Sequence, residues 1–266
     1  MPTRSPTPSD FPSHLTITIT PPPLSSSPQS QSTPPNILLL LHGLGDSITP
    51  FTTFAQSLKL PETTILTLQA PHPLPFDLPG FHWGDDITFD NSTGGLDMDA
   101  GFGRAGRTIV QDVVRDVIVG KCGYNLREVL VFGFGQGGMV GLNVARELGV
   151  SAPDSDSGQI GSGELSGVIS IGAPYPLSAS SMAGSTTSSG KNRTPVLLVA
   201  GRDSSAVTDG AVQRTKQVFK FVEVHRYDRK GDGMPRNRDE MLPVMQFFAR
   251  RLRSMKGVPE GSVEIT

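Results

Sequence analysis

The chain has 266 residues, a hydrophobic content of 36% and a formal net charge of −2 at pH 7. This length suits one large α/β domain, and the near-neutral charge gives no electrostatic reason to bind nucleic acid. The single cysteine excludes an internal disulfide, which favours an intracellular protein. The N-terminus lacks the apolar core of a signal peptide, and no apolar run is long enough to span a bilayer. We therefore expect a cytoplasmic protein, with the nucleus as a further compartment.

The composition divides the chain into one domain and three loosely structured segments. Residues 1–13 are polar and proline-rich and are expected to form a loose N-terminal tail, while 255–266 are expected to form a C-terminal tail. A single domain is predicted over 14–254. Within it, residues 21–35 are rich in Ser, Pro and Gln and predict a mobile loop between two strands.

Hydrophobic periodicity predicts alternating strands and helices through this domain. Strands are predicted at His14–Thr20, Asn36–Leu41, Thr63–Pro71, Glu128–Phe134, Ser166–Pro174, Pro195–Gly201 and Val218–Tyr227. Helices are predicted at Val110–Val119, Gln136–Leu148, Thr208–Gln217 and Arg238–Ser254. This alternation is typical of a mostly parallel sheet that is covered by helices on both faces.

A cluster of glycines follows the strand that ends at Phe134. It reads Gly133-Phe134-Gly135-Gln136-Gly137, and it aligns with the G-x-S-x-G turn on which α/β-hydrolases carry their nucleophilic serine. Gly135 stands where that motif has serine, so the turn has no nucleophilic side chain. Glycine adopts strained turn angles without the cost that a Cβ imposes. A dinucleotide-binding loop is the alternative, but the glycine spacing and the lack of an acidic partner downstream disfavour it.

Several further motifs share an order along the chain. "LLHGLGDS", "QAPHPLPF", "GYNLREVLVFGFGQGG", "SGVISIGAPYPL" and "PVLLVAGRDSSAVTDGAV" fall in the order and the approximate spacing of the phospholipase/carboxylesterase family. The chain resembles this family, which includes acyl-protein thioesterases and lysophospholipases, over roughly Asn36 to Leu252. The resemblance implies an α/β-hydrolase fold and a Ser-His-Asp triad acting on carboxylic esters or thioesters.

The resemblance also indicates which positions should carry the triad. The nucleophile position falls on Gly135 and the acid position on Ser204, with Asp203 one residue away. Asp203 could serve as the acid if the loop shifts, or it could pair with Arg202 or cap the next helix. Counting back from the last predicted helix places the histidine position at Met234. His225 is the last histidine of the chain, but it lies inside a predicted strand.

The oxyanion donors of this fold are backbone groups, so they do not depend on the missing side chains. The resemblance places them at the N–H groups of Leu44 and Gln136. His42 precedes this loop, and it either contributes to the site or is a buried, hydrogen-bonded residue of a tight turn. Asp85 and Asp86 form either a carboxylate pair or a turn cap. No metal-ligand spacing and no cofactor motif is present, so we expect neither a metal nor a cofactor.

These observations leave three functional hypotheses. The first is a catalytically impaired hydrolase, or pseudoenzyme, that binds an acyl ester or an acylated protein through the oxyanion donors. The second is an active ester or thioester hydrolase with an unconventional nucleophile, for which Ser204 and Ser205 are the nearest candidates. The third is a protein-interaction scaffold. Loss of a triad serine or histidine removes nearly all triad catalysis, which favours the first hypothesis.

Overall fold

A seven-stranded sheet forms the centre of the computed structural model, which describes residues 2–23, 33–89, 94–150, 163–179 and 190–255. The strand order is β1-β3-β2-β6-β7-β8-β9, and β1 is antiparallel to β3 while the other neighbours pair in parallel. The seven strands are β1 (Ile17–Thr20), β2 (Asn36–Leu41), β3 (Thr63–Leu68), β6 (Val129–Phe134), β7 (Gly167–Ile171), β8 (Val196–Ala200) and β9 (Val222–Arg226). The predicted mostly parallel α/β-hydrolase architecture is confirmed.

Helices cover both faces of this sheet. They are α1 (Ile48–Leu58), α2 (Gly103–Thr108), α3 (Gln136–Val150), α4 (Asp209–Val218) and α5 (Arg238–Arg251). One buried cluster includes Val113 and Val140 on one side of the sheet, and a second includes Phe51 and Phe247 on the other. This arrangement explains why β2 is buried at all six positions, as its unbroken apolar sequence predicts.

The helix predicted at Val110–Val119 extends α2 without a break, in π-helical geometry over Ile109–Lys121. Its paired apolar residues form the expected buried stripe, which consists of Ile109, Val110, Val113, Val114, Val117 and Ile118. The i→i−5 hydrogen bond from Cys122 N to Val117 O, 2.9 Å long, closes its last turn.

Two parts of the fold beside the loop after β2 were not predicted from the sequence. The first is α1, whose buried residues Phe51, Ala55 and Leu58 follow helical spacing although Pro50 and several threonines weaken the local signal. The second is the short hairpin of β4 (His72–Pro73) and β5 (Phe81–His82), where two-residue strands are too short for a periodicity. Both elements flank the loop that follows β2.

The N-terminal segment differs from the expected loose tail. Arg4 N donates to Cys122 O at 3.0 Å, and the Arg4 guanidinium pairs with Asp10 at 2.6 Å. Phe11 is buried against the main core cluster. The predicted mobile loop 21–35 falls largely outside the described residues, and so does the C-terminal tail beyond residue 255.

Candidate active site

The bend between β6 and α3 has the geometry that the glycine cluster predicts. Gly135 has φ +53°, in the left-handed region. Its N–H donates to Ile171 O of β7 at 2.9 Å, and its carbonyl oxygen accepts from Gly138 N at 2.9 Å and Met139 N at 3.2 Å. The bend therefore holds position 135 at the carboxyl end of the sheet, where ligands bind in open parallel sheets.

Backbone crowding requires glycine beside this position but not at it. A Cβ added at Gly137 would lie 2.4 Å from Leu41 O, which is far inside van der Waals contact. A Cβ added at Gly135 would meet only the flexible end of Met98, whose Cε would be 3.2 Å away, and the Cα of Gly43 at 3.8 Å. Space at Gly135 is therefore sufficient for a small side chain, and the positive φ is the main local reason for glycine.

The two expected oxyanion donors lie together. Leu44 and Gln136 line the same small cavity, which has a volume of about 10 Å³. Among the described residues, neither backbone N–H donates a hydrogen bond in a turn, loop or cap. Both groups are therefore available to a carbonyl oxygen, as backbone donors in an oxyanion hole must be.

His42 is a structural residue behind this loop. Its Nε2 accepts from Ala70 N at 2.9 Å, and its Nδ1 lies 2.8 Å from Gly43 O, so the neutral ring carries its proton on Nδ1. The side chain is fully buried, and burial lowers the pKa of the imidazole. Since both ring nitrogens are used, His42 fixes the loop rather than contacting a ligand, as the buried-turn alternative proposed.

The acid position is occupied by a hydroxyl group that bonds a carboxylate from another loop. Ser204 Oγ donates to Asp232 Oδ2 at 2.7 Å and accepts from Val207 N at 2.8 Å. The second oxygen, Asp232 Oδ1, accepts from Gly201 N at 2.8 Å. Asp232 lies in the loop after β9, and its Cβ would be 2.9 Å from a Cβ added at Gly172, which follows β7. Asp232 therefore lies beside Ser204, at the carboxyl ends of β7 and β8.

Asp203 does not contact Ser204 through its carboxylate and instead accepts from Gly231 N at 2.9 Å. This hydrogen bond is the main reason why the pKa of Asp203 is lowered. The helix-cap alternative for Asp203 is wrong, because Thr208 caps α4 by accepting from Ala211 N. The charge of Arg202 contributes to the lowered pKa of Asp203. Asp203 therefore joins two surface loops and is exposed to solvent.

Met234, the residue predicted at the base position, lies in the loop between β9 and α5. Met234 is partly buried and packs against the core cluster of α1 and α5. Its carbonyl oxygen accepts from the Arg229 guanidinium at 3.0 Å. Asp232, two residues earlier, is the residue of this loop that bonds Ser204. His225 is partly exposed in β9, with its ring 6.1 Å from that of Tyr227.

The loop before α2 covers the bend and was not recognised from the sequence. Gln136 Oε1 accepts from Trp83 N at 3.0 Å, and Gln136 Nε2 donates to Met98 O at 3.3 Å. Asp99 accepts from the backbone N–H and the hydroxyl group of Ser178, which lies after β7. These contacts hold Met98 against Gly135 and close the site.

The acidic pair in this region acts on the backbone. Asp85 accepts from Gly103 N at 2.6 Å and from Arg104 N at 2.7 Å, so it caps the start of α2. Asp86 accepts from Ile87 N at 2.7 Å. The capping alternative is therefore confirmed. Within the described ranges, no group of three His, Cys, Asp or Glu side chains could hold a metal ion, and no helix has the length and apolarity to cross a membrane.

Comparison with known proteins agrees with the fold and with the order of the motifs. A model of the phospholipase/carboxylesterase family matches residues 27–251, and the chain belongs to this family. An uncharacterized hydrolase of Schizosaccharomyces pombe is 28% identical over 237 residues, which cover 87% of this chain and 89% of that protein. The resemblance inferred from the motifs is confirmed.

Two solved structures share the fold. Esterase PE8 superposes with a TM-score of 0.66 at 18% identity, covering 90% of this chain and 99% of the other. Acyl-protein thioesterase 2 of Zea mays superposes with a TM-score of 0.62 at 19% identity, again covering 90% and 99%. At these identities the likeness concerns the fold, so the chemistry has to be argued from the residues of this chain.

Proposed function

We propose that this protein binds a carboxylic ester or thioester at the Gly135 bend and does not form an acyl-enzyme. The observation that carries the proposal is the pairing of two available oxyanion donors, Leu44 N–H and Gln136 N–H, with a glycine at the nucleophile position. Backbone donors of this kind stabilise the carbonyl oxygen of a bound acyl group whether or not a nucleophile attacks it. The thioester of an acylated protein is one ligand of this chemical class.

The residues around the bend support a severe loss of triad chemistry. Glycine cannot be acylated, and the carboxylate of Asp232 is too weak a base to activate a hydroxyl group as imidazole does. What survives the loss of triad residues is the contribution of the oxyanion hole and of binding, roughly 10³–10⁴-fold over water. The family fold is thus retained together with its binding groups.

A covalent probe tests the absence of an acyl-enzyme. A fluorophosphonate labels activated serine nucleophiles, and we expect no labelling of the purified protein. Ser204 is the serine to examine, because its hydroxyl group already donates to Asp232. Labelling that peptide mapping places on Ser204 or Ser205 would instead support a hydrolase with an unconventional nucleophile.

The single tryptophan offers a direct binding assay. Trp83 is buried, donates its Nε1–H to His42 O at 2.8 Å, and bonds Gln136 through its backbone. We expect the octanoyl thioester of N-acetylcysteamine to change the Trp83 fluorescence in a saturable way. Because Met98 must move to admit the ligand, Met98→Ala should bind more tightly, whereas Met245→Ala on exposed α5 should not change affinity. No saturable change in either wild type or Met98→Ala would refute the binding proposal and favour a scaffold.

Reconstruction of the triad tests the assignment of its positions. Since Asp232 lies against Ser204, the combination Gly135→Ser, Ser204→Asp and Asp232→His should give measurable ester hydrolysis and fluorophosphonate labelling. The matched control carries Met234→His instead of Asp232→His. Its histidine starts from a position that packs against the core, so this variant should stay inactive. Equal activity of the two triple variants would show that Asp232 does not occupy the base position.

A further inference from the structure

The cavity that Leu44 and Gln136 line is also lined by a histidine that the sequence did not single out. His82 lines this cavity together with Leu44 and Gln136. Its volume of about 10 Å³ is close to the space that one water molecule requires. Hydrolysis by direct attack of water requires a proton acceptor, hydrogen-bond donors for the carbonyl oxygen and room for the water molecule. A neutral imidazole, two backbone N–H groups and a water-sized cavity would meet these three requirements.

The chain fixes His82 between the two segments that carry the donors. On one side, Phe81 exchanges hydrogen bonds with the oxyanion loop, where Gly45 N donates to Phe81 O at 2.9 Å and Phe81 N donates to Asp46 O at 2.9 Å. On the other side, Trp83 N donates to the side chain of Gln136 at 3.0 Å. The position of His82 relative to both donors is therefore set by short backbone bonds on either side.

The imidazole of His82 interacts with the backbone of Gly84, but among the described residues its Nδ1 is left without a partner. The residue is 5% exposed, and this nitrogen is buried. His42 shows the contrast, because that histidine uses both ring nitrogens to hold the backbone. An unpartnered buried nitrogen costs free energy, which a purely structural histidine would avoid.

Its neighbours keep the ring neutral. Burial lowers the pKa of His82, and the adjacent His72 and the Arg104 guanidinium lower it further, while a hydrogen bond with the Gly84 backbone and the charge of Asp86 oppose them. The His72 ring lies 5.3 Å from that of His82, across the β4–β5 hairpin. A histidine with a lowered pKa remains a proton acceptor at neutral and mildly acidic pH.

We propose that His82 is the general base of a slow hydrolysis in which water attacks the bound ester or thioester directly. The water oxygen bonds to the acyl carbon while one of its protons passes to His82, and the carbonyl oxygen is held by Leu44 N–H and Gln136 N–H. The bond from the acyl carbon to oxygen or sulfur then breaks, and His82 returns the proton to the leaving group. The products are a carboxylic acid and an alcohol or thiol. This inference rests on the proposed ester binding.

Hydrolysis of p-nitrophenyl butyrate tests the proposal. The protein is first treated with a fluorophosphonate, which removes contaminating serine hydrolases. We expect wild type to exceed the buffer rate, and His82→Gln to lose about 100-fold of that excess, the lower end of the range for general-base catalysis. The control His225→Gln, on the edge strand, should keep the wild-type rate. The wild-type rate should rise with pH through a pKa below 6.5 and then level, and His82→Gln should lack this step.

The outcomes separate this inference from the ester-binding proposal. The role of His82 would be overturned if wild type and His82→Gln hydrolysed the ester at equal rates. It would also be overturned if wild type bound the thioester saturably but hydrolysed the ester no faster than buffer. Both outcomes leave the binding proposal intact. Loss of binding itself would refute the proposed function. If melting shows that His82→Gln does not fold, the wild-type and Met98→Ala pH profiles decide. Absence of the step below pH 6.5 in both would refute the role of His82.

Discussion

Replacing Gly135 with alanine measures how strongly the bend constrains the chain. At φ +53° a residue with a Cβ costs about 1–2 kcal/mol. Alanine also restricts the unfolded chain, which returns about 0.4–1 kcal/mol. We therefore expect Gly135→Ala to lower the free energy of unfolding by up to about 1.6 kcal/mol, with a central value of about 0.8 kcal/mol. In a domain of this size, 1 kcal/mol corresponds to a melting shift of about 2–4 °C.

Gly231 provides the matched control. It has φ +72°, and a Cβ there would meet nothing within 4 Å, so Gly231→Ala reports the backbone strain alone. Any larger loss in Gly135→Ala reports contact with Met98, and adding Met98→Ala should then remove the excess. Calorimetric melting of these variants checks the expectation. If Gly135→Ala melts with wild type while Gly231→Ala is destabilised, the bend does not hold position 135 in the left-handed region.

Two further predictions concern the groups that support the site. Gln136→Leu should lower the unfolding free energy by about 1–3 kcal/mol in urea titration, because the buried Trp83 N–H loses its acceptor; a loss no larger than that of the surface variant Gln111→Leu would contradict this role. The pKa of His42 is lowered on folding, so its contribution to stability is present above pH 6.5 and is lost as the pH falls through the folded pKa. In urea titrations between pH 7.5 and 5, the unfolding free energy should fall less steeply with pH for His42→Gln than for wild type. His225→Gln is the control and should follow wild type. An unchanged pH dependence in His42→Gln would contradict the assignment.

Under the proposed function, glycine at position 135 provides a backbone conformation rather than a nucleophile. Serine at position 135 would carry a strain cost comparable to that of alanine, and in an active hydrolase the chemistry justifies that cost. Without an imidazole beside Ser204, a serine at the bend would gain no activation. Glycine then lowers the free energy of the fold while the backbone donors of Leu44 and Gln136 remain in place.

Much of the sheet could be predicted from the sequence because its signals are local. The unbroken apolar run of β2 and the paired apolar residues of the helix at 109–121 each require burial on defined faces. The short hairpin at His72–His82 and helix α1 gave weak signals, because two-residue strands have no periodicity and proline and threonine reduce helix propensity. Their existence depends on packing against the loop after β2.

The candidate site also has features that the sequence predicts and features that depend on tertiary contacts. The sequence by itself determined the family, the glycine-rich bend after β6 and the glycine at position 135, because these depend on residues adjacent along the chain. Only the tertiary structure decided that Asp232 rather than Met234 meets Ser204, that Met98 lies against the bend, and that His82 shares a cavity with Leu44 and Gln136. These contacts join loops far apart in sequence, and the length and path of each loop are set by long-range packing that no local pattern records.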